Sequence, residues 1–137
     1  MQRKTVLIVD DETVHIEMLF NLVQSFSTVI FARSIEDAEA LIKNRIPDLI
    51  LLDNQVRDGY GIAFCATLKR SKRTKHVPVI IVTASDDYDS KMLAYQNGAI
   101  DYITKPIDSE LLKYKILNTL GVIEDNCLRF ALPEVNQ

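Results

Sequence analysis

Three carboxylates, a hydroxyl and an ammonium stand out by where they fall along the chain: Asp10, Asp11, Asp53, Thr83 and Lys105. Each follows or ends a short run rich in apolar residues. Val6-Leu7-Ile8-Val9 precedes Asp10-Asp11, and Leu49-Ile50-Leu51-Leu52 precedes Asp53. Val79-Ile80-Ile81-Val82 precedes Thr83, and a shorter run from Ile100 to Thr104 precedes Lys105. Such runs, bounded by polar and turn residues, read as buried strands. The chemical residues therefore fall at strand carboxyl ends, on one edge of a sheet. Carboxylates gathered there repel one another and raise one another's pKa. A hard divalent cation relieves that repulsion. Magnesium suits oxygen ligands and keeps several waters when one or two carboxylates bind it; manganese accepts the same donors. A carboxylate can also attack phosphorus to give an aspartyl-phosphate. Asp53 is the candidate nucleophile, because its strand is central. Charge on phosphoryl oxygens needs countercharge and hydrogen bonds. Lys105 and Thr83 are the candidates for those roles, and Pro106 directly after Lys105 points to a cis peptide.

Each of these residues has an ordinary reading on its own. Asp11 and Glu12 suit the positive end of a helix, and a threonine at a strand end is common. Only the combination, at four strand ends, points to a site.

The elements that would position them alternate regularly. Residues 12–26 carry Met18, Leu19, Leu22, Val23 and Phe26 at helical spacing. Val29 to Ala32 is a second strand. Ser34 is an N-cap for a helix with Ala38, Leu41 and Ile42 inward, and Asp37 strengthens its start. A loop with Asp58-Gly59 leads to a third helix near 60–71. A fourth helix spans 86–97 and ends on the left-handed cap Asn97-Gly98. The last helix starts near Asp108 and ends near Gly121. Strand–helix alternation of this kind implies a parallel sheet covered on both faces. We therefore expect an α/β fold: a doubly wound five-stranded parallel sheet, flavodoxin-like order 2-1-3-4-5, with five helices. In that order ligands bind where strand order reverses, between the first and third strands. Neighbouring strands lie about 4.8 Å apart, so Asp10-Asp11 and Asp53 can share one ion.

At 137 residues the chain fits one domain with a real core. Residues 1–123 form that domain, and 124–137 read as a tail or the start of a linker. The net charge of −3 argues against nucleic-acid binding, for which a basic stripe is expected. No apolar run is long enough for a membrane span, and no charged-then-apolar leader opens the chain. Cys65 and Cys127 lack metal-ligand spacing and read as free thiols of a reducing cytoplasm. His15 and His76 read as solvated or capping groups.

Taken together, V-D-D at 9–11, L-L-D at 51–53, V-T-A at 82–84 and Y-I-T-K-P at 102–106 resemble the receiver domain of two-component response regulators, similar to the single-domain chemotaxis regulators. The resemblance covers about residues 3–121. It implies that Asp53 accepts a phosphoryl group from a histidine kinase or phosphotransfer protein. It implies that Asp11 and Asp53 hold Mg2+ (or Mn2+) directly, with the backbone carbonyl of Gln55, while Asp10 acts through a metal-bound water. Thr83 and Lys105 would bind the phosphoryl group. Tyr102 would be a switch aromatic that responds as Thr83 shifts. Gln55 and Ser85 occupy positions that tune hydrolysis of the acyl phosphate. Such a protein is a signalling phosphoprotein of the cytoplasm rather than a turnover enzyme. Val56-Arg57 stands where Met-Pro is usual, so this loop lacks proline's fixed φ. Tyr114-Lys115 stands where an arginine is common in the winged-helix subclass.

Two surfaces follow. The face made by the fourth helix, fifth strand and fifth helix carries Met92, Tyr95, Leu111, Tyr114, Leu117 and Tyr102, and is a candidate homodimer or output surface, the alternative being a broad core face. The first helix, with Ile16 and Phe20, is where the phosphodonor docks in this family. The competing reading is a magnesium phosphohydrolase working through the same aspartyl-phosphate. It expects an acid/base aspartate two residues after the nucleophile, where Gln55 stands. A flavin carrier is disfavoured because Asp10-Asp11-Glu12 would repel a flavin phosphate. A degenerate scaffold is disfavoured by the intact acceptor, threonine and lysine.

Overall fold

The computed structural model describes residues 3–122. The expected tail from 124 onward, and Cys127 within it, lie outside the described residues. The chain runs β1 (Thr5–Val9), α1 (Thr13–Val23), β2 (Thr28–Ala32), α2 (Ile35–Asn44) and β3 (Leu49–Leu52). It continues through a two-residue pair β4 (Gln55–Val56) and β5 (Gly59–Tyr60), then α3 (Gly61–Arg70) and β6 (Val79–Thr83). It closes with α4 (Tyr88–Gln96), β7 (Asp101–Thr104) and α5 (Ser109–Leu120).

The main sheet has the order β2-β1-β3-β6-β7, all parallel. This is the expected doubly wound fold. Alternate residues of each strand face opposite sides of the sheet. Val6 and Ile8 of β1, with Leu49 and Leu51 of β3, pack against Ile16, Leu19 and Val23 of α1 and Leu112, Ile116 and Leu120 of α5. Leu7 and Val9, with Ile50 and Leu52, face the other way, onto Ala38 and Ile42 of α2, Phe64, Cys65 and Leu68 of α3 and Ala94 of α4. Helices cover both faces, so the inner strands are fully buried and apolar throughout. β2 lies at the edge and is only partly covered.

Helix boundaries follow local hydrogen bonding. The Ser34 hydroxyl accepts from Asp37 N–H, and the Asp108 carboxylate from Leu111 N–H. α4 begins at Tyr88, two residues later than its sequence pattern suggests, because the Asp87 carboxylate takes the Ser90 N–H. α1 ends at Val23 rather than near 26, where the Ser27 hydroxyl donates to the Val23 carbonyl. After α4 the backbone turns at Gly98 with φ 97, a left-handed conformation that favours glycine.

The β4–β5 pair is an element that hydrophobic periodicity does not reveal. It forms a hairpin immediately after Asp53, with Gln55 opposite Tyr60 and Val56 opposite Gly59. Its tip docks on the start of α2. The Asp58 carboxylate accepts the N–H groups of Ile35 (2.7 Å) and Glu36 (3.0 Å). Those donors are unpaired within the helix, so Asp58 caps α2 from another segment, alongside Ser34.

Candidate functional site

Backbone hydrogen bonds carry the sheet ladder one residue past the strands and fix the site residues. Asp10 N–H donates to Ala32 O at 3.1 Å, and Asp53 N–H to Val9 O at 2.9 Å. Lys105 N–H donates to Thr83 O at 2.8 Å. The Lys105–Pro106 peptide is cis.

The two buried carboxylates divide their oxygens. Asp10 Oδ1 accepts from Glu12 N–H at 3.0 Å, and Asp53 Oδ1 accepts from Gln55 N–H at 3.2 Å. These bonds hold each carboxylate over its own turn. The other oxygens converge on one point. Lys105 Nζ lies 3.1 Å from Asp10 Oδ2 and 3.2 Å from Asp53 Oδ2. Asp10 is only 2% exposed and Asp53 8%, so the ammonium offsets carboxylate charge that water scarcely reaches. Thr83, also buried, ends β6 on the far side of Asp53's strand.

The same cluster holds His15, which the sequence suggests is a solvated or capping group. His15 Nδ1 is 2.7 Å from Lys105 Nζ and 3.3 Å from Asp10 Oδ2. An ammonium has three N–H donors and no acceptor. With the ammonium donating to Asp10, Asp53 and His15 in turn, Nδ1 is the acceptor of the third bond. The signal for His15 was its place four residues after Asp11, in the first turn of the helix that leaves β1. That turn stands over the strand's carboxyl end.

A divalent cation fits this donor set. One ligand atom from each of Asp10, His15 and Asp53 lies within 4.8 Å of the others. The ammonium now held by two buried carboxylates shows that the position favours a cation. Asp11, half-buried at the turn into α1, falls outside that group. Gln55 is exposed on β4, next to the turn that carries Asp53.

Gly61 closes the floor of the site. A Cβ there would come within 2.2 Å of the Asp53 carbonyl oxygen. Gly61 N–H also donates to Asn54 O at 2.7 Å, drawing α3 tightly against the turn that carries Asp53. Arg57, the cation that replaces the usual proline, is exposed at the hairpin tip.

The loop between β6 and α4 is tied to β7. The Tyr102 hydroxyl donates to Ser85 O at 2.8 Å, and Thr104 Oγ1 to Asp86 Oδ1 at 3.2 Å. Ser85 Oγ donates to Asp87 Oδ2 at 3.1 Å. Burial pushes the Tyr102 phenol above its ordinary pKa. The hydrogen bond from the Lys91 ammonium draws the Asp86 carboxyl down, and the Ser90 N–H does the same for Asp87. Beyond Tyr102, Asp101 links three elements: Lys115 Nζ of α5 lies 2.8 Å from its Oδ2, and Tyr95 of α4 donates to its Oδ1 at 3.4 Å.

Fold and site together define a class: a doubly wound parallel sheet with an acid-pair, aspartate, threonine and lysine set at its switch point. The model of the response regulator receiver domain matches residues 6–117, and the chain belongs to that family. Over 107 residues it is 41% identical to the phosphate regulon transcriptional regulatory protein PhoB of Pseudomonas aeruginosa, covering 77% of this chain and 47% of that protein. Over 108 residues it is 33% identical to the response regulator PleD of Caulobacter vibrioides, covering 78% of this chain and 24% of that one. The chain thus spans about half or less of the length of these relatives. Among solved structures, a CheY-like response regulator receiver domain protein from Methanospirillum hungatei JF-1 superposes with a TM-score of 0.80 at 25% identity, covering 88% of this chain and 95% of that one. Among the described residues, no helix is long and apolar enough to cross a membrane.

Proposed function

We propose that this receiver domain accepts a phosphoryl group on Asp53 from a phosphohistidine of a sensor kinase or phosphotransfer protein. The observation that carries the reading is the convergence of Asp10 Oδ2 and Asp53 Oδ2 on Lys105 Nζ, at 3.1 and 3.2 Å. Asp53 Oδ2 is taken as the attacking atom because it faces the point where Asp10 Oδ2 and Lys105 Nζ meet, while Oδ1 faces the Gln55 N–H of its own turn. Its bond to phosphorus forms as the phosphorus–nitrogen bond of the donor breaks. The leaving imidazole nitrogen keeps the electron pair. Lys105 follows the charge from carboxylate to phosphoryl oxygen, and the Thr83 hydroxyl donates to a second oxygen. Asp11, Asp53 and the Gln55 carbonyl would hold Mg2+ or Mn2+ directly, with Asp10 acting through a bound water, and the ion would supply further countercharge to the phosphoryl oxygens.

The acyl phosphate then biases a two-state element. As Thr83 moves toward the phosphoryl group, it draws the loop that follows it. That loop is bonded to Tyr102 through Ser85 O, so the movement reaches the α4-β7-α5 face. Met92, Tyr95, Leu111 and Tyr114 are exposed there, and an output partner or a second copy of the chain reads the change. Gln55 and Ser85 flank the path of the water that slowly hydrolyses the acyl phosphate, so the chemistry resets the signal. We place the protein in the cytoplasm with its kinase. Titration with beryllofluoride and Mg2+ tests this by NMR: amide shifts at Thr83, Ser85, Tyr102 and α4 are expected, and Asp53→Asn should abolish them. Shifts that persist in Asp53→Asn, or that never appear in the wild type, overturn the proposal.

A further inference from the structure

We infer that His15 Nδ1 is a direct ligand to the divalent cation, which makes this a mixed nitrogen–oxygen metal site that favours transition metals over magnesium. The inference rests on the proposed phosphoryl site only for the use of the ion; its binding is a separate matter. Three observations carry it. One ligand atom from each of Asp10, His15 and Asp53 lies within 4.8 Å of the others. His15 Nδ1 is already 3.3 Å from Asp10 Oδ2. Two donors each about 2.1 Å from one ion are about 3 to 4.2 Å apart, so this pair needs little adjustment. Finally, a cation already occupies the position: Lys105 Nζ stands 2.7 Å from His15 Nδ1 and 3.1 and 3.2 Å from the two carboxylate oxygens.

The bond to Lys105 leaves the Nδ1 lone pair facing inward, where a metal takes it. For an ion to sit there the ammonium would have to leave His15 Nδ1 and Asp10 Oδ2, which its flexible four-carbon stem allows. Imidazole suits nickel, zinc, copper and iron, whereas an all-oxygen set suits magnesium, calcium and manganese. Removing an imidazole ligand therefore weakens the first group selectively. His76 is the chain's other histidine, and it lies in the segment leading into the amino end of β6, so the source of a nitrogen signal is readily assigned.

Two measurements on the intact chain decide it. Pulsed electron paramagnetic resonance of the Mn2+-loaded wild type should show coupling to a directly bound imidazole nitrogen, lost in His15→Gln and kept in His76→Gln. Calorimetric titrations with Ni2+ and Mg2+ alone should show that His15→Gln weakens Ni2+ at least about tenfold, while Mg2+ affinity changes far less. Absence of nitrogen coupling in the wild type overturns the inference, as does an equal loss of both metals in the variant. Phosphoryl gain with Mg2+ and no nitrogen coupling defeats this inference alone. Nitrogen coupling and selective Ni2+ loss in a protein that never gains a phosphoryl group sustain it, and defeat the proposed function instead.

Discussion

Lys105 is a single side chain satisfying three acceptors from three parts of the chain: Asp10 after β1, His15 in α1 and Asp53 after β3. Removing it leaves two buried carboxylate oxygens facing each other without a cation. Lys105→Ala should therefore destabilise the metal-free protein by about 1–3 kcal/mol, the cost of stranding buried polar groups. Mg2+ should restore part of that loss, since it takes over the same role. Thermal unfolding with and without Mg2+ checks this; the expected result is a larger Mg2+-induced rise in melting temperature for the variant than for the wild type. Gly61 makes a second residue-scale case. A methyl group there meets the Asp53 carbonyl at 2.2 Å, so Gly61→Ala must move the Asp53 turn or the start of α3. Lower stability together with slower phosphoryl gain from acetyl phosphate is expected. An unchanged rate and melting temperature would contradict the close approach. His15 shows what single-residue reading misses. A lone histidine has no sequence partner pattern, and its closest contacts here, Asp10 and Lys105, are 5 and 90 residues away.

At the scale of elements, the β4–β5 hairpin joins the Asp53 turn to α2 through Asp58. The N–H groups of Ile35 and Glu36 hold its carboxyl below the usual carboxylate range. A pKa lowered by folding adds stability above the unfolded value of about 3.9, and that stability is lost as pH falls through the folded value. Asp58→Ala should thus be less stable than the wild type at neutral pH, and the gap should close as pH drops below about 4. Denaturant titrations at neutral and acid pH measure it; a gap independent of pH would remove the capping role. α5 offers a plainer test. Leu112 is fully buried between α5 and the sheet, and Leu112→Ala should cost about 2–5 kcal/mol. The legibility of these elements differs for physical reasons. β1, β3 and β6 read clearly because sheets covered on both faces need unbroken apolar runs. The Ser34 and Asp108 caps are local, so they read as well. The hairpin has two residues per strand, too short for any period to register. Its Asp58 bonds helix donors 22 and 23 residues back, a tertiary contact that no local pattern encodes.

For the whole molecule, topology assembles the site. The order β2-β1-β3-β6-β7 puts β1 beside β3, so residues 10 and 53, far apart in sequence, meet across adjacent strands. That much follows from strand–helix alternation and from polar residues placed at strand ends. The same logic brings Thr83 and Lys105 to the edge from β6 and β7. The side-chain details do not follow from it: which carboxylate oxygen faces inward, and that Asp10 rather than Asp11 shares Lys105 with Asp53. Rotamers and turn hydrogen bonds decide those, chiefly Glu12 N–H on Asp10 and Gln55 N–H on Asp53. The loop that runs from Thr83 through Ser85 is hydrogen-bonded to Tyr102 of β7.

The central claim is that Asp53 accepts a phosphoryl group. Intact-protein mass measurement after incubation with Mg2+ and acetyl phosphate, or with a phosphorylated histidine phosphotransfer protein, tests it most directly. The wild type should gain the mass of one phosphoryl group, labile to hydroxylamine as an acyl phosphate is, and Asp53→Asn should gain none. A wild type that gains nothing from either donor, or an Asp53→Asn variant that gains as much, would contradict it.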